Sequence, residues 1–173
     1  MDPASFRIGH GHDLHRMVQG RPLVLGGIPV PFACGPDAHS DGDVLLHSVI
    51  DALLGATGQG DIGEWFPDSD VRWKGADSGQ LLTAVVNELK QAGWRILNLD
   101  CTISAEQPRL GPFKQQIAGQ VASLLEIDSR LVNVKAKSSE QVGPVGRGEA
   151  IAACATVLLY QERPQREQSP AAS

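Results

Sequence analysis

Asp13 and His15 stand two residues apart, and His47 follows on a stretch with helical periodicity. If strand pairing continues past Gly11, side chains two apart point to the same side, and Asp13 and His15 converge. His47 falls beside the apolar stripe of its helix, at the rim of the core. One carboxylate and two imidazoles suit a zinc-type cation, and three protein ligands leave a fourth tetrahedral position open for a reacting group. The plain alternative is a polar surface, because an Asp-x-His pair alone is common. The distribution of histidine favours the metal: all five (His10, His12, His15, His39 and His47) fall within the first 47 residues.

A second set of residues suits anions. His39-Ser40-Asp41-Gly42-Asp43 directly precedes the helix, where a hydroxyl and backbone N–H groups can hold an anion. Ser40 or Asp41 equally suits the helix N-cap, and one residue can serve both ends. Asp61 to Asp70 gathers carboxylates around Gly63 and Pro67, which fits polyol hydroxyls, a hard cation or simply water. Lys135 to Glu140 ends a strand with two cations, two hydroxyls and a carboxylate. Phosphate oxygens match the first four, and Glu140 beside them suggests Mg²⁺ or Mn²⁺ shared with a diphosphate. Ala105 to Leu110 follows a strand, as a ligand loop would. Gly143 to Glu149 is glycine-rich around Arg147 but lacks the GK[ST] ending of a P-loop. GxGxxG is absent too, so a dinucleotide fold has no support.

The charge pattern suits a site that holds metals and an anionic substrate. Nine of the twenty acids lie between Asp37 and Asp77 against only Arg72 and Lys74, whereas Arg and Lys dominate from Arg95 to Arg147. The net charge of −5 opposes a nucleic-acid or membrane-surface role, since both need a cationic footprint. Cys34, Cys101 and Cys154 form no CxxC, and the N-terminus carries no signal-like apolar stretch. The longest apolar run, Ile151 to Tyr160, is half a membrane span. The expectation is a soluble, cytoplasmic protein.

These residues need a scaffold. The 173 residues, 42% of them apolar, suffice for one domain with its own core. Phe6 to Gly11 reads as a short strand, and Pro22 to Pro31 as a hairpin about Gly26-Gly27. A helix follows with Leu45, Leu46, Val49, Ile50, Leu53 and Leu54 on one face, ending at Gly55 or Gly58. Gly60 to Lys74 reads as loop. Asp77 opens a second helix whose apolar face is Leu81, Leu82, Val85, Val86 and Leu89. Trp94 to Ser104 is a strand, Pro112 starts a third helix, Val132 to Lys137 is a half-buried strand, and Ile151 to Tyr160 a buried one. The expected fold is α+β: a single mixed β-sheet with helices on one face, a two-layer sandwich with a βαβ crossover. The domain spans 6–161, with flexible tails at 1–5 and 162–173.

Taken together, the blocks resemble the 2-C-methyl-D-erythritol 2,4-cyclodiphosphate synthase family. Those blocks are Gly9-His10-Gly11-x-Asp13-x-His15, His39-Ser40-Asp41-Gly42-Asp43, Asp61-Ile62-Gly63, Phe66-Pro67-Asp68, Lys74-Gly75-Ala76-Asp77-Ser78, Val132-Asn133-Val134-Lys135-Ala136 and Gly146-Arg147-Gly148-Glu149. The resemblance runs from Phe6 to Gln161. It implies conversion of 4-diphosphocytidyl-2-C-methyl-D-erythritol 2-phosphate to the cyclic diphosphate and CMP, in the non-mevalonate route to isoprenoid precursors. Zn²⁺ would sit on Asp13, His15 and His47 and take a substrate phosphate. Glu140 would help hold Mg²⁺ or Mn²⁺ on the diphosphate. His39, Lys137 and Ser138 would be the catalytic groups at the phosphates, joined by Ser40 and Ser139. Asp61, Gly63, Phe66, Pro67 and Asp68 would hold the methylerythritol part, and Ala105, Arg109 and Leu110 the cytidine. Members are homotrimers with each site between two subunits, which implies the same here.

His12 and Pro144 depart from the family pattern, standing where many members carry aromatic rings that line a cavity on the threefold axis, with Arg147 and Glu149 nearby. Lys137 stands where some members carry Thr, which adds a positive charge. A zinc hydrolase that attacks a nucleoside diphosphate ester with water would use the same Asp-His-His set. Product analysis separates the two chemistries.

Overall fold

The computed structural model describes residues 5–161. In chain order the elements are β1 (Phe6–Gln19), β2 (Leu23–Leu25), β3 (Ile28–Val30), β4 (Cys34–Pro36), α1 (Val44–Thr57), α2 (Ile62–Trp65), α3 (Ser78–Gln91), β5 (Trp94–Ser104), α4 (Lys114–Leu125), β6 (Val132–Lys137), α5 (Gly143–Gly146) and β7 (Ala150–Gln161). Five strands form one mixed sheet in the order β4-β1-β7-β5-β6. β7 is antiparallel to both β1 and β5, while β6 is parallel to β5 across the α4 crossover.

α1, α3 and α4 lie on one face of this sheet, whereas α5 sets Val145 against Ala150 and Ala152 on the other. On β1 the odd positions Gly9 and Gly11 are buried, whereas Ile8 and Leu14 on the other face are 72% and 49% exposed. On β7 Ala153, Ala155, Val157 and Leu159 point into the core against α1, whose Leu45, Leu46, Val49, Ile50, Leu53 and Leu54 are fully buried. The glycines of β1 have a steric reason. A Cβ on Gly9 would stand 1.8 Å from the Ala52 carbonyl oxygen, and one on Gly11 2.0 Å from that of Ser48. The α1 backbone rests directly on β1, and no other residue type permits that approach.

Caps fix where the helices start. Asp43 is the N-cap of α1, and its Oδ1 accepts from the Leu45 and Leu46 N–H groups at 3.1 Å each. Its Oδ2 accepts from Gly27 N–H at 2.7 Å, which fastens the hairpin to the helix. Burial pushes this carboxyl up to about 6, against the pull of the N–H groups of Gly27, Gly26 and Leu46. Gly58, left-handed at φ 69°, ends α1. Asp77 caps α3 through Gly79 N–H at 2.7 Å.

Several expectations need correction. The first strand does not stop at Gly11 but runs to Gln19, carrying Asp13 and His15 inside regular pairing with β7. The hairpin about Gly26-Gly27 forms, yet as its own two-stranded sheet, so the sheet is not single. Within the Ser40-Asp41-Gly42-Asp43 run the cap of α1 is Asp43, the last residue, rather than Ser40 or Asp41. The loop from Gly60 to Lys74 contains α2, and the sheet gains β4 at its edge. The tails expected at 1–5 and 162–173 lie outside the described residues, apart from Ser5.

Candidate active site

β1 presents Asp13 and His15 on its helix-facing side, and α1 presents His47 from its first turn. The three offer ligand atoms that all lie within 4.8 Å of one another. Asp13 Oδ2 is 2.9 Å from His47 Nδ1 and 3.2 Å from His15 Nε2, and the two ring nitrogens are 3.3 Å apart. Zinc–nitrogen bonds of about 2.0 Å place tetrahedral ligand atoms roughly 3.3 Å apart. The residues therefore fit a small divalent cation with little rearrangement. Burial alone would raise the Asp13 carboxyl, but hydrogen bonds from His15 and His47 hold it well below the usual range. Burial opposes charge on His47, and the hydrogen bond and charge of Asp13 overcome it, raising the imidazole above its ordinary value. On its other side His47 Nε2 is 2.9 Å from Ser78 Oγ and 3.2 Å from Ser40 Oγ.

A cavity of about 420 Å³ opens over these ligands. It brings together His39, Ser40, Gly63, Phe66, Pro67 and Asp68 beside Asp13, His15 and His47. Asp61 is not in its lining; its carboxylate caps α2 by accepting from Glu64 N–H at 3.0 Å. Asp51 and Trp73 line the cavity and were missed by sequence reasoning. Asp51 Oδ1 accepts from Ile62 N–H at 2.9 Å and so fastens α2 to α1, the helix of His47. Burial raises its carboxyl, with the Ile62 N–H pulling the other way. The signal for Asp51 was its place one turn beyond His47 on the same helix. Trp73 meets Phe66 edge-on at 5.0 Å between ring centroids.

A second cavity, about 660 Å³, lies beyond the ends of β5 and β6. Ala105, Arg109 and Leu110 form one wall, and Lys137, Ser138 and Glu140 another. The Ser138 hydroxyl donates to Glu140 Oε1. Ser139 joins through its backbone: Glu106 Oε2 accepts from Ser139 N–H at 3.3 Å and from Gln141 N–H at 3.4 Å. Glu140 and Gln141 are both left-handed, at φ 49° and 62°, within this turn. Pro144 and Arg147 line neither cavity; Pro144 sits in α5, and Arg147 pairs with Glu149 at 2.9 Å on the surface. Lys135 also turns away, to Asp100 on the open face of the sheet.

β1, β5 and β6 run in one direction, each antiparallel to β7 or parallel to a strand that is, so Asp13 and His15 and the C-terminal ends of β5 and β6 lie towards the same end of the sheet. Asp13 pairs with Ala153, and Ala153 with Ile103, so Asp13 and Ile103, two residues before the lining of the second cavity begins at Ala105, are two strand spacings apart, about 10 Å. No residue lines both.

The family model described as the YgbB family matches residues 6–160. The chain belongs to the YgbB family. A Treponema denticola relative named 2-C-methyl-D-erythritol 2,4-cyclodiphosphate synthase is 50% identical over 154 residues, 89% of this chain and 96% of the relative. Among solved structures, a bifunctional IspDF from Campylobacter jejuni superposes with a TM-score of 0.87 at 40% identity. That match covers 91% of this chain but 42% of the bifunctional one. Plasmodium falciparum IspF in a CDP complex gives a TM-score of 0.81 at 30% identity, covering 94% of this chain and 100% of the other. The resemblance read from seven short blocks therefore extends over the whole YgbB unit. No helix among the described residues is long and apolar enough to cross a membrane.

Proposed function

We propose that the chain converts 4-diphosphocytidyl-2-C-methyl-D-erythritol 2-phosphate to 2-C-methyl-D-erythritol 2,4-cyclodiphosphate and CMP, a step of non-mevalonate isoprenoid synthesis. The observation that carries this reading is the convergence of Asp13, His15 and His47 over a cavity, in a chain half-identical to proteins named for that product. The 2-phosphate oxygen forms a bond to the β-phosphorus while the bond to the CMP phosphate breaks. The nucleophile is already anionic, so no strong base is required. The barrier lies in bringing two anions together and in the charge left on CMP.

Zn²⁺ held by Asp13, His15 and His47, and Mg²⁺ or Mn²⁺ held with the help of Glu140, would supply charge neutralisation at the phosphates. His39 and Ser40 donate to the phosphate bound near Asp13 and His15. Gly63, Phe66, Pro67 and Asp68 hold the methylerythritol part, with the ring pair Phe66–Trp73 as its apolar wall, and Asp61 supports them by capping α2. Ala105, Arg109 and Leu110 take the cytidine. Lys137 and Ser138 neutralise and hydrogen-bond the leaving phosphate, and Ser139 and Glu140 shape the turn below it. Holding both phosphates of one molecule in a folded pose lowers the entropic part of the barrier.

The assembly is a homotrimer with its active sites between subunits. Two separate cavities with no shared lining and an open sheet face exposing Ile8 and Leu14 support that arrangement. Pro144 and Arg147 contact ligand only across such a boundary. The unit is residues 6–161, and it works in the cytoplasm. CMP release from the diphosphocytidyl substrate tests the reading. Turnover that stops with chelator and returns with zinc and Mg²⁺ is expected, and no CMP release under loaded conditions would refute it.

A further inference from the structure

We infer that Asp41 and Ser78 are a positioning pair for the His47 ring, holding its hydrogen on Nε2 so that Nδ1 is the nitrogen offered to a metal. The inference rests on the metal reading of Asp13, His15 and His47. It follows from the direction in which each hydrogen bond must run. Asp41 Oδ1 accepts from Asp43 N–H at 3.1 Å, and Oδ2 from Ser78 N–H at 3.0 Å. A carboxylate used this way has no hydrogen to give. Ser78 Oγ lies 2.5 Å from Asp41 Oδ1, so the single hydroxyl hydrogen of Ser78 goes there.

Towards His47, Ser78 can then only accept. Its Oγ is 2.9 Å from His47 Nε2, and that nitrogen must carry the hydrogen. Ser78 is fully buried, so water cannot take over as partner. Without metal Nδ1 donates to Asp13 Oδ2 at 2.9 Å, and its hydrogen is the one a metal between Asp13, His47 and His15 Nε2, 3.3 Å away, would displace. A carboxylate at the far end of such a chain also makes the ligating nitrogen more basic. Ser40 Oγ, 3.2 Å from Nε2, already accepts from Gly42 N–H at 3.1 Å. With Nε2 as donor, the Ser40 hydroxyl hydrogen is left for a ligand in the cavity it lines. The architecture explains the pairing. Ser78 opens α3 and Asp41 precedes α1, and the backbone bond from Asp41 N–H to Ala76 C=O at 3.1 Å holds the two segments together.

The test is zinc affinity of the full chain by chelator competition, wild type against Ser78→Ala, with folding followed by circular dichroism. Zinc bound by the wild type and an affinity about 10–100-fold weaker in the variant are expected. A nitrogen NMR spectrum of the zinc-loaded wild type supplies the second readout. It should show His47 with metal on Nδ1 and a slowly exchanging hydrogen on Nε2. Unchanged affinity in a folded Ser78→Ala protein, or metal on Nε2, overturns the inference while the metal site stands. A wild type that binds no zinc overturns the metal reading and the inference with it. Should the variant fail to fold, the wild-type spectrum decides.

Discussion

Replacing Gly11 by alanine should break the metal site without touching a ligand. The new Cβ would lie 2.0 Å from the Ser48 carbonyl oxygen and 2.7 Å from Ala52 N, both backbone atoms that cannot swing aside. Ordinary contact begins near 3.4 Å, so α1 must move off β1 by about 1.4 Å. His47 precedes Ser48 and moves with it, yet the ligand atoms now lie 2.9–3.3 Å apart and tolerate shifts of only about 0.5 Å. Overpacking of this kind costs about 1–3 kcal/mol. For a domain of this size that lowers Tm by roughly 2–12 °C. The assay is thermal denaturation of metal-free protein together with zinc stoichiometry. Gly55→Ala is the control in the same helix: nothing lies within 4 Å of its Cβ, and it should gain about 0.5–1 kcal/mol and bind zinc normally. Gly11→Ala with wild-type Tm and full zinc would refute the claim that contact between α1 and β1 sets the ligand geometry.

Other perturbations have directions fixed by the structure. His47→Ala deletes one of three proposed ligands, so zinc content and turnover should both vanish with circular dichroism unchanged; normal zinc content would mean the site is misassigned. His47 is raised above 6.5 in the folded chain, so its stabilising charge is fully present below pH 6.5 and is lost as pH rises through the raised value. The Tm of metal-free protein should therefore fall on going from weakly acidic to alkaline buffer, and zinc-loaded protein should show the reverse, because the metal needs the neutral ring; parallel trends in the two forms would count against this. Glu106→Ala frees the Ser139 and Gln141 N–H groups and should weaken CDP binding about tenfold in calorimetry, the loss of about 1.4 kcal/mol expected for its hydrogen bonds. Glu106→Gln keeps an acceptor and should bind more tightly than the alanine variant; equal loss in both would contradict the turn-holding role.

Much of the fold was legible because most elements bury one regular stripe. Leu45 to Leu54 and Leu81 to Leu89 announce their helices, and Val132 to Lys137 its strand. The strand reads as ending at Gly11 because polar residues hide its period: the covered face carries Gly9, Gly11, Asp13 and His15 before its first apolar side chain, Met17. The convergence of Asp13, His15 and His47 was legible from the Asp13–His15 spacing and the wheel position of His47. Ser78 and Asp51 were not, since their roles depend on where α3 and α2 dock, a tertiary fact with no local period. Asp43 took the cap from Ser40 and Asp41 because its second oxygen also holds Gly27, a contact made only once the hairpin folds back. Arg147 and Pro144 line neither of the two cavities described, so the proposed role of both rests on the resemblance alone.

The most direct measurement is mass spectrometry of the products formed from the diphosphocytidyl substrate in oxygen-18 water. Intramolecular attack predicts CMP and a cyclic diphosphate, neither carrying the heavy isotope. A linear phosphorylated product that has gained one heavy oxygen would show that water is the nucleophile and that the chain is a hydrolase.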